Sequence, residues 1–168
     1  MSDLKVNEIK TDTIKNQAGT SAATIDSSGR ILTPARPAFR ARKTSSQSTS
    51  SGNELITWNT APLNIGSHFG SNVFTAPVAG IYSFSIVLLT NNDSANHTFS
   101  FRHTPSGGSL TTILTLYSPV LANHETVSGS FIHQMGVGDT MGVYLDGAND
   151  IIYGDAGTWT HWSGFLIG

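Results

Sequence analysis

The sequence predicts an all-β sandwich carried on a thin, extended N-terminal arm, and three observations predict it. From Phe39 to the C-terminus, short apolar or alternating runs are cut by clusters of Gly, Asn, Asp, Pro and Ser. All three Trp, all four Tyr and all eight Phe lie in that same stretch. No apolar series keeps the i, i+3, i+4, i+7 recurrence of an amphipathic helix.

The 168 residues suffice for one core of ordinary size, which buries about 70% of the surface an unfolded chain shows. Without cysteine, disulfide scaffolds, thiol catalysis and cysteine-bound zinc are excluded. The longest aliphatic run, Ile86-Val87-Leu88-Leu89, is far short of the roughly 20 residues that cross a bilayer. The opening Met1-Ser2-Asp3-Leu4-Lys5-Val6 has no apolar secretion stretch. We therefore expect a product made in a cytoplasm, with no membrane insertion.

Residues 1–43 hold eight of the nine basic side chains against four acids, and residues 44–168 hold Arg102 against seven acids. The basic charges of the first segment are spread among Thr, Asn and Asp without interleaved aromatics, so nucleic-acid binding is not expected.

The arm comes first. It has no aromatic residue to build a core, so it must dock on something or pair with copies of itself; the alternative is a disordered tail. Its apolar residues include Leu4, Val6, Ile9 and Ile14, followed by Ile25 and Ile31. Short extended pieces are expected, turning at Asn16-Gln17-Ala18-Gly19 and Asp26-Ser27-Ser28-Gly29. Pro34 and Pro37 mark the boundary, giving an arm of residues 1–35 and a head of residues 36–168.

In the head, strands are expected at Leu55–Trp58, Gly80–Leu89, Thr98–Arg102, Leu110–Tyr117, Val127–Met135, Thr140–Leu145 and Trp162–Ile167. Alternation along Ile81–Leu88 sets Tyr82, Phe84, Ile86 and Leu88 on one face and Ile81, Ser83, Ser85 and Val87 on the other. The last strand divides likewise, Trp162, Gly164 and Leu166 against Ser163, Phe165 and Ile167. Both faces are partly apolar, which suits a strand between two layers or at a subunit contact. Phe39, Phe74, Tyr82, Phe84, Tyr144, Gly164 and Phe165 are assigned to that core and shared contact. Gly164 in mid-strand suggests close approach by another chain or a bulky neighbour. Pro77 and Gly80 bracket a turn, Pro by fixing φ and Gly by tolerating φ > 0. Gly138-Asp139 is a second turn, whose Asp can accept from nearby backbone N–H groups.

Seven or more short strands fit a β-sandwich, of which the jelly roll is one form. Pro37-Ala38-Phe39-Arg40-Ala41 resembles the opening strand of the globular heads of complement component one-q, which share the tumour-necrosis-factor-like jelly roll. Val73-Phe74-Thr75-Ala76-Pro77-Val78-Ala79-Gly80-Ile81-Tyr82-Ser83-Phe84 resembles that family's F-T-A-P-x-x-G-x-Y-x-F signature. Val137-Gly138-Asp139-Thr140-Met141 and Trp162-Ser163-Gly164-Phe165-Leu166-Ile167 match a late turn and the terminal strand, in order. The resemblance implies a jelly-roll β-sandwich assembled as a compact homotrimer of binding or spacing heads.

Catalytic chemistry is sparse. There is no G-x-S-x-G elbow, H-E-x-x-H helix or phosphate-binding glycine loop. No metal cluster is expected of the six scattered histidines, and the pair Glu54 and Glu125 gives a negligible glycosidase signal. The protein is expected to be no enzyme and to need no cofactor. Calcium at Asp146-Gly147-Ala148-Asn149-Asp150 with Asp155 is the minor alternative, since the loop gathers oxygen ligands but lacks a closing glutamate. Trp159 is the indole expected to be exposed, a candidate contact for a sugar.

The stretches Leu4–Ile14 and Ala22–Ile31 resemble the N-terminal arms of phage fibre and appendage proteins. With the head, they imply a virion protein made in the host cytoplasm, on tail or capsid surface. Leu4, Val6, Ile9 and Ile14 would anchor it to other virion proteins, and the knob would bind host-surface polysaccharide or protein or decorate the particle. The alternatives are a free lectin-like or cytokine-like trimer and, third, a surface-glycan hydrolase.

Overall fold

The computed structural model describes residues 11–49, 51–90, 96–118, 124–147, 151–155 and 158–168. Leu4, Val6 and Ile9 of the expected anchor lie outside the described residues. The chain divides into two compact units, Met1–Arg36 and Pro37–Gly168.

The first unit is an antiparallel meander of β1 (Thr13–Lys15), β2 (Ser21–Ile25) and β3 (Ile31–Leu32). Its turns fall at the two polar clusters. At the first, Gly19 takes φ +84° and donates its N–H to the Asn16 carbonyl at 3.0 Å. At the second, Asp26 Oδ1 accepts from the N–H groups of Ser28 and Arg30, and the Arg30 guanidinium meets Oδ2 at 2.7 Å. Those bonds, the Arg30 N–H first, hold the Asp26 carboxyl below its ordinary value. No described residue of this unit is buried, and Ile14, Ile31 and Leu32 are exposed. Three short strands without aromatics form a sheet that has no buried side chain among its described residues.

The second unit opens with β4 (Ala38–Arg42), β5 (Gln47–Ser48), β6 (Glu54–Leu55), β7 (Thr60–Ile65), β8 (Phe69–Gly70) and β9 (Val73–Thr75). It continues with β10 (Gly80–Thr90), β11 (His97–Thr104), β12 (Thr111–Ser118), β13 (Glu125–Met135), β14 (Thr140–Leu145), β15 (Ile151–Ile152) and β16 (His161–Leu166). All the pairings are antiparallel. One sheet runs β13-β10-β16-β4-β7, with β15 and β5 extending it beyond the start of β16; the other runs β12-β11-β14-β9-β8, with β6 beside β14. Among the described residues there is no helix.

The core lies between the sheets. Tyr82, Phe84, Ile86 and Leu88 of β10 are buried, as alternation requires. The facing sheet supplies Phe74, Phe99, Phe101, Met141, Val143 and Leu145. Rings meet across the gap: Phe74 lies 5.3 Å from Tyr82, and Phe101 lies 4.7 Å from Phe131. Trp162, fully buried, takes Phe39 edge-on at 4.7 Å and touches Trp58, Phe69, Phe84 and Phe101.

Four expectations need correction. Phe39, Phe74, Tyr82 and Phe84 are enclosed within one copy, because the facing sheet offers enough rings to cover them. They are core residues and supply no surface for a shared contact. Gly80 does not use positive φ; a Cβ there would meet the movable end of Leu166 at 2.7 Å and the Gly168 carbonyl at 3.0 Å. Of Leu55–Trp58 only Leu55 is in a strand, while Ile56 and Trp58 continue as buried chain, Ile56 donating its N–H to Val143. Finally, β7 is absent from the expected strands; it is an edge strand, where Pro62, which has no N–H to give a ladder, is tolerated.

Candidate functional site

The same alternation that buries Tyr82 and Phe84 turns their neighbours outward, and the register sets those neighbours in rows across five strands. One row reads Ile65, Ala38, Phe165, Ser83, Ile132. The next reads Leu63, Arg40, Ser163, Ser85, Ser130, and the third Thr60, Arg42, His161, Val87, Ser128. Ile81 and Ile167 border the first row, joined by a 2.7 Å bond from Ile167 N–H to the Ile81 carbonyl. Phe165 is 49% exposed, Ile132 66% and Ile81 44%.

This face has a relief. Ser83 is a small residue between Phe165 and Ile132, and Ser85 and Ser163 hydroxyls bond at 2.9 Å in the row behind. Large apolar side chains therefore alternate with small residues, Ser83, Ser85, Ser163 and Ala38, across the face. Contiguous exposed apolar groups on a sheet face mark an interaction surface. The third row is polar: the Nε of Arg42 and Nδ1 of His161 are buried without a partner among the described residues. Burial, and then the Arg40 charge, pushes the His161 imidazole below its ordinary value.

Of the residues assigned to core and contact, Phe165 stands on this face. Gly164 points inward, where Phe84 and Phe39 are its bulky neighbours. Tyr144 lies on the other sheet beneath Arg102, whose guanidinium carbon is 4.6 Å from its ring centroid. Arg102 also bonds Ser100 Oγ, Asn53 Oδ1 and Asp146 Oδ1.

That ion pair occupies the Asp146 carboxylate, the first oxygen ligand of the candidate calcium loop. Asp155 receives the N–H of Thr158 at 2.9 Å and the Thr158 hydroxyl at 2.7 Å. Residues 148–150, with Asn149 and Asp150, lie outside the described residues. The Asp155 turn presents Trp159, 48% exposed. Glu54 and Glu125 sit on different sheets, and Ser118 Oγ donates to the Glu125 carboxylate in a cleft of about 510 Å³ between β12 and β13.

The expected turn is well built. Gly138 takes φ +82°, and Asp139 accepts from Ser106 N–H at 2.8 Å, Gly136 N–H at 2.7 Å and His103 Nε2 at 2.9 Å. Pro77 precedes β10, and the Tyr82 phenol closes that entry by donating to the Val78 carbonyl at 2.7 Å. Lys43 carries no sequence signal of its role. Lys43 is 1% exposed, and its ammonium bonds Gln47 Oε1, the Thr57 carbonyl and Thr57 Oγ1, with no carboxylate among these partners. Burial pushes it down to about 8.

The C1q domain family matches residues 38–167, and the chain belongs to that family. Solved structures agree in fold. The globular domain of zebrafish complement 1qA is 17% identical at a TM-score of 0.63, covering 79% of this chain and 98% of that one. Eiger TNF from S. frugiperda is 10% identical at a TM-score of 0.68, covering 79% of this chain and 93% of that one. Murine APRIL at pH 5.0 is 12% identical at 0.64, covering 79% and 99%. The head is thus the jelly roll that its motifs implied. No curated protein sequence matches the chain.

Proposed function

We propose that this chain is a non-enzymatic, homotrimeric virion protein of a phage, a fibre or short appendage. Its N-terminal unit attaches to other virion proteins, and its head is the outward knob. The observation that carries the assembly is the outward row of Phe165, Ser83 and Ile132, an apolar face that a monomer leaves in water. A threefold ring covers such a face in every copy, since a heterologous contact repeated by a rotation of one third of a turn closes, whereas any rotation that does not close leaves an open filament.

The N-terminal unit supports attachment. Its described residues include no buried side chain, and Ile14, Ile31 and Leu32 stand exposed on short strands. Such a meander gains stability by docking or by pairing with its own copies. Trp159, held by the Asp155 turn, is the knob's candidate contact with a host-surface sugar.

Purified phage particles analysed by mass spectrometry test the reading. The chain is expected among the structural proteins, with knobs at the ends of fibres or on the capsid surface in electron micrographs. Absence from intact particles overturns the virion role and favours the free binding module.

A further inference from the structure

Beside the Gly136–Asp139 turn, three ionisable side chains are strung across the gap between the sheets. His103 Nε2 lies 2.9 Å from Asp139 Oδ2, and His133 Nε2 lies 3.3 Å from His103 Nδ1. The imidazoles meet edge to face with centroids 4.8 Å apart. His103 belongs to β11 in one sheet and His133 to β13 in the other, so this nitrogen-to-nitrogen contact ties the two layers together.

The register partners of the two rings carry no charge at neutral pH, and the C-terminal Gly168 is held at the neighbouring Ile81, whose N–H it accepts at 2.9 Å. On β10 the register partner of His133 is Tyr82, whose hydroxyl is spent on Val78. On β14 and β12 the partners of His103 are Met141 and Thr111. Arg102, next to His103 in sequence, is bound to Asp146. Asp139 itself is fixed by the N–H groups of Ser106 and Gly136.

We propose that Asp139, His103 and His133 form a proton-operated latch between the two sheets, closed with no added proton or one and opened by the second. The proton count follows from the bonds. Asp139 only accepts, so it sets the His103 proton on Nε2, and the free lone pair of Nδ1 receives Nε2–H of His133. With one added proton the pair holds a single positive charge beside the carboxylate. Either His103 donates Nδ1–H to Nε2 of His133, or a charged His133 keeps donating; one hydrogen still lies between the nitrogens. The second added proton sets N–H against N–H and two cations beside one carboxylate. The link is lost, and the sheets part at this end.

The ionisation tendencies agree. The His133 imidazole is held below its ordinary value by burial first and by His103 next, with Asp139 opposing. The Ser106 N–H, first among its partners, holds the Asp139 carboxyl low. A histidine lowered on folding takes up its proton more readily in the unfolded chain, so stability is lost as pH falls below about 6.5. The latch rests on the fold alone and stands whether or not the chain belongs to a virion.

The test uses the full chain, with imidazole ¹⁵N resonances followed from pH 8 to 4. The His133 ring is expected to titrate below the ordinary histidine value, and at pH 8 the His103 proton is expected on Nε2, with Nδ1 accepting from His133. His133→Gln keeps an amide donor but cannot titrate. Between pH 7 and 5 the wild-type unfolding constant should rise about tenfold more than that of H133Q, the order of change expected when the unfolded chain takes up one more proton over part of that interval. A His133 ring that titrates at the ordinary value, a His103 proton on Nδ1 at pH 8, or an equal acid loss in H133Q would overturn the latch.

Discussion

Gly164 and Phe84 face each other in register so closely that a Cβ on the glycine would lie 2.6 Å from Cδ1 of the ring. Phe39 Cε1 closes the other side at 2.8 Å from the same point. Both rings are fixed by further aromatics, Phe39 by Phe74 and Trp162 and Phe84 by Phe74 and Phe131, so neither can yield cheaply. Gly164→Ala is therefore expected to destabilise the head by about 1–3 kcal/mol, the ordinary cost of overpacking. Urea unfolding measures it, and an unchanged midpoint would contradict the packing described.

One residue further along, the demand reverses. Phe165 faces outward, and a polar substitute leaves the core intact. Phe165→Asp should raise the dissociation constant of the assembly by about 30-fold or more, the loss of about 2 kcal/mol typical of a buried interface anchor. The circular dichroism spectrum should stay that of a folded sandwich. An F165D protein that assembles like the wild type would remove this face from the interface.

Lys43 yields a pH dependence of definite sign. Its folded value is about 8, against an ordinary 10.5. Between those values the unfolded chain binds more protons than the folded one, so stability rises as pH rises through the window. Urea midpoints taken from pH 7.5 to 9.5, below the range where tyrosines ionise in the unfolded chain, should increase. Lys43→Met should flatten that slope, and a wild-type midpoint that falls across the interval would refute a buried ammonium held by neutral partners.

Much of the fold could be read because a strand on a core has period two. Alternation separated Tyr82 and Phe84 from Ile81 and Ser83 without any structure. It could not say which set the other sheet covers, since both carry apolar groups; the matching rings Phe74, Phe99 and Phe101 decide that, and they come from distant strands. Pro62 gives β7 no clear strand signal, and proline is tolerated there because the strand lies at a sheet edge. The Asp26 and Asp139 turns were legible, their signals being local. Lys43 and the His103–Asp139–His133 chain were not, because each joins residues brought near only by the tertiary fold.

Sedimentation equilibrium of the wild-type chain at micromolar concentration tests the central claim most directly. The account predicts three times the 17.8 kDa chain mass, with the outward face of β10, β13 and β16 withdrawn from solvent. A single-chain mass at that concentration, with Phe165 and Ile132 freely accessible, would contradict it.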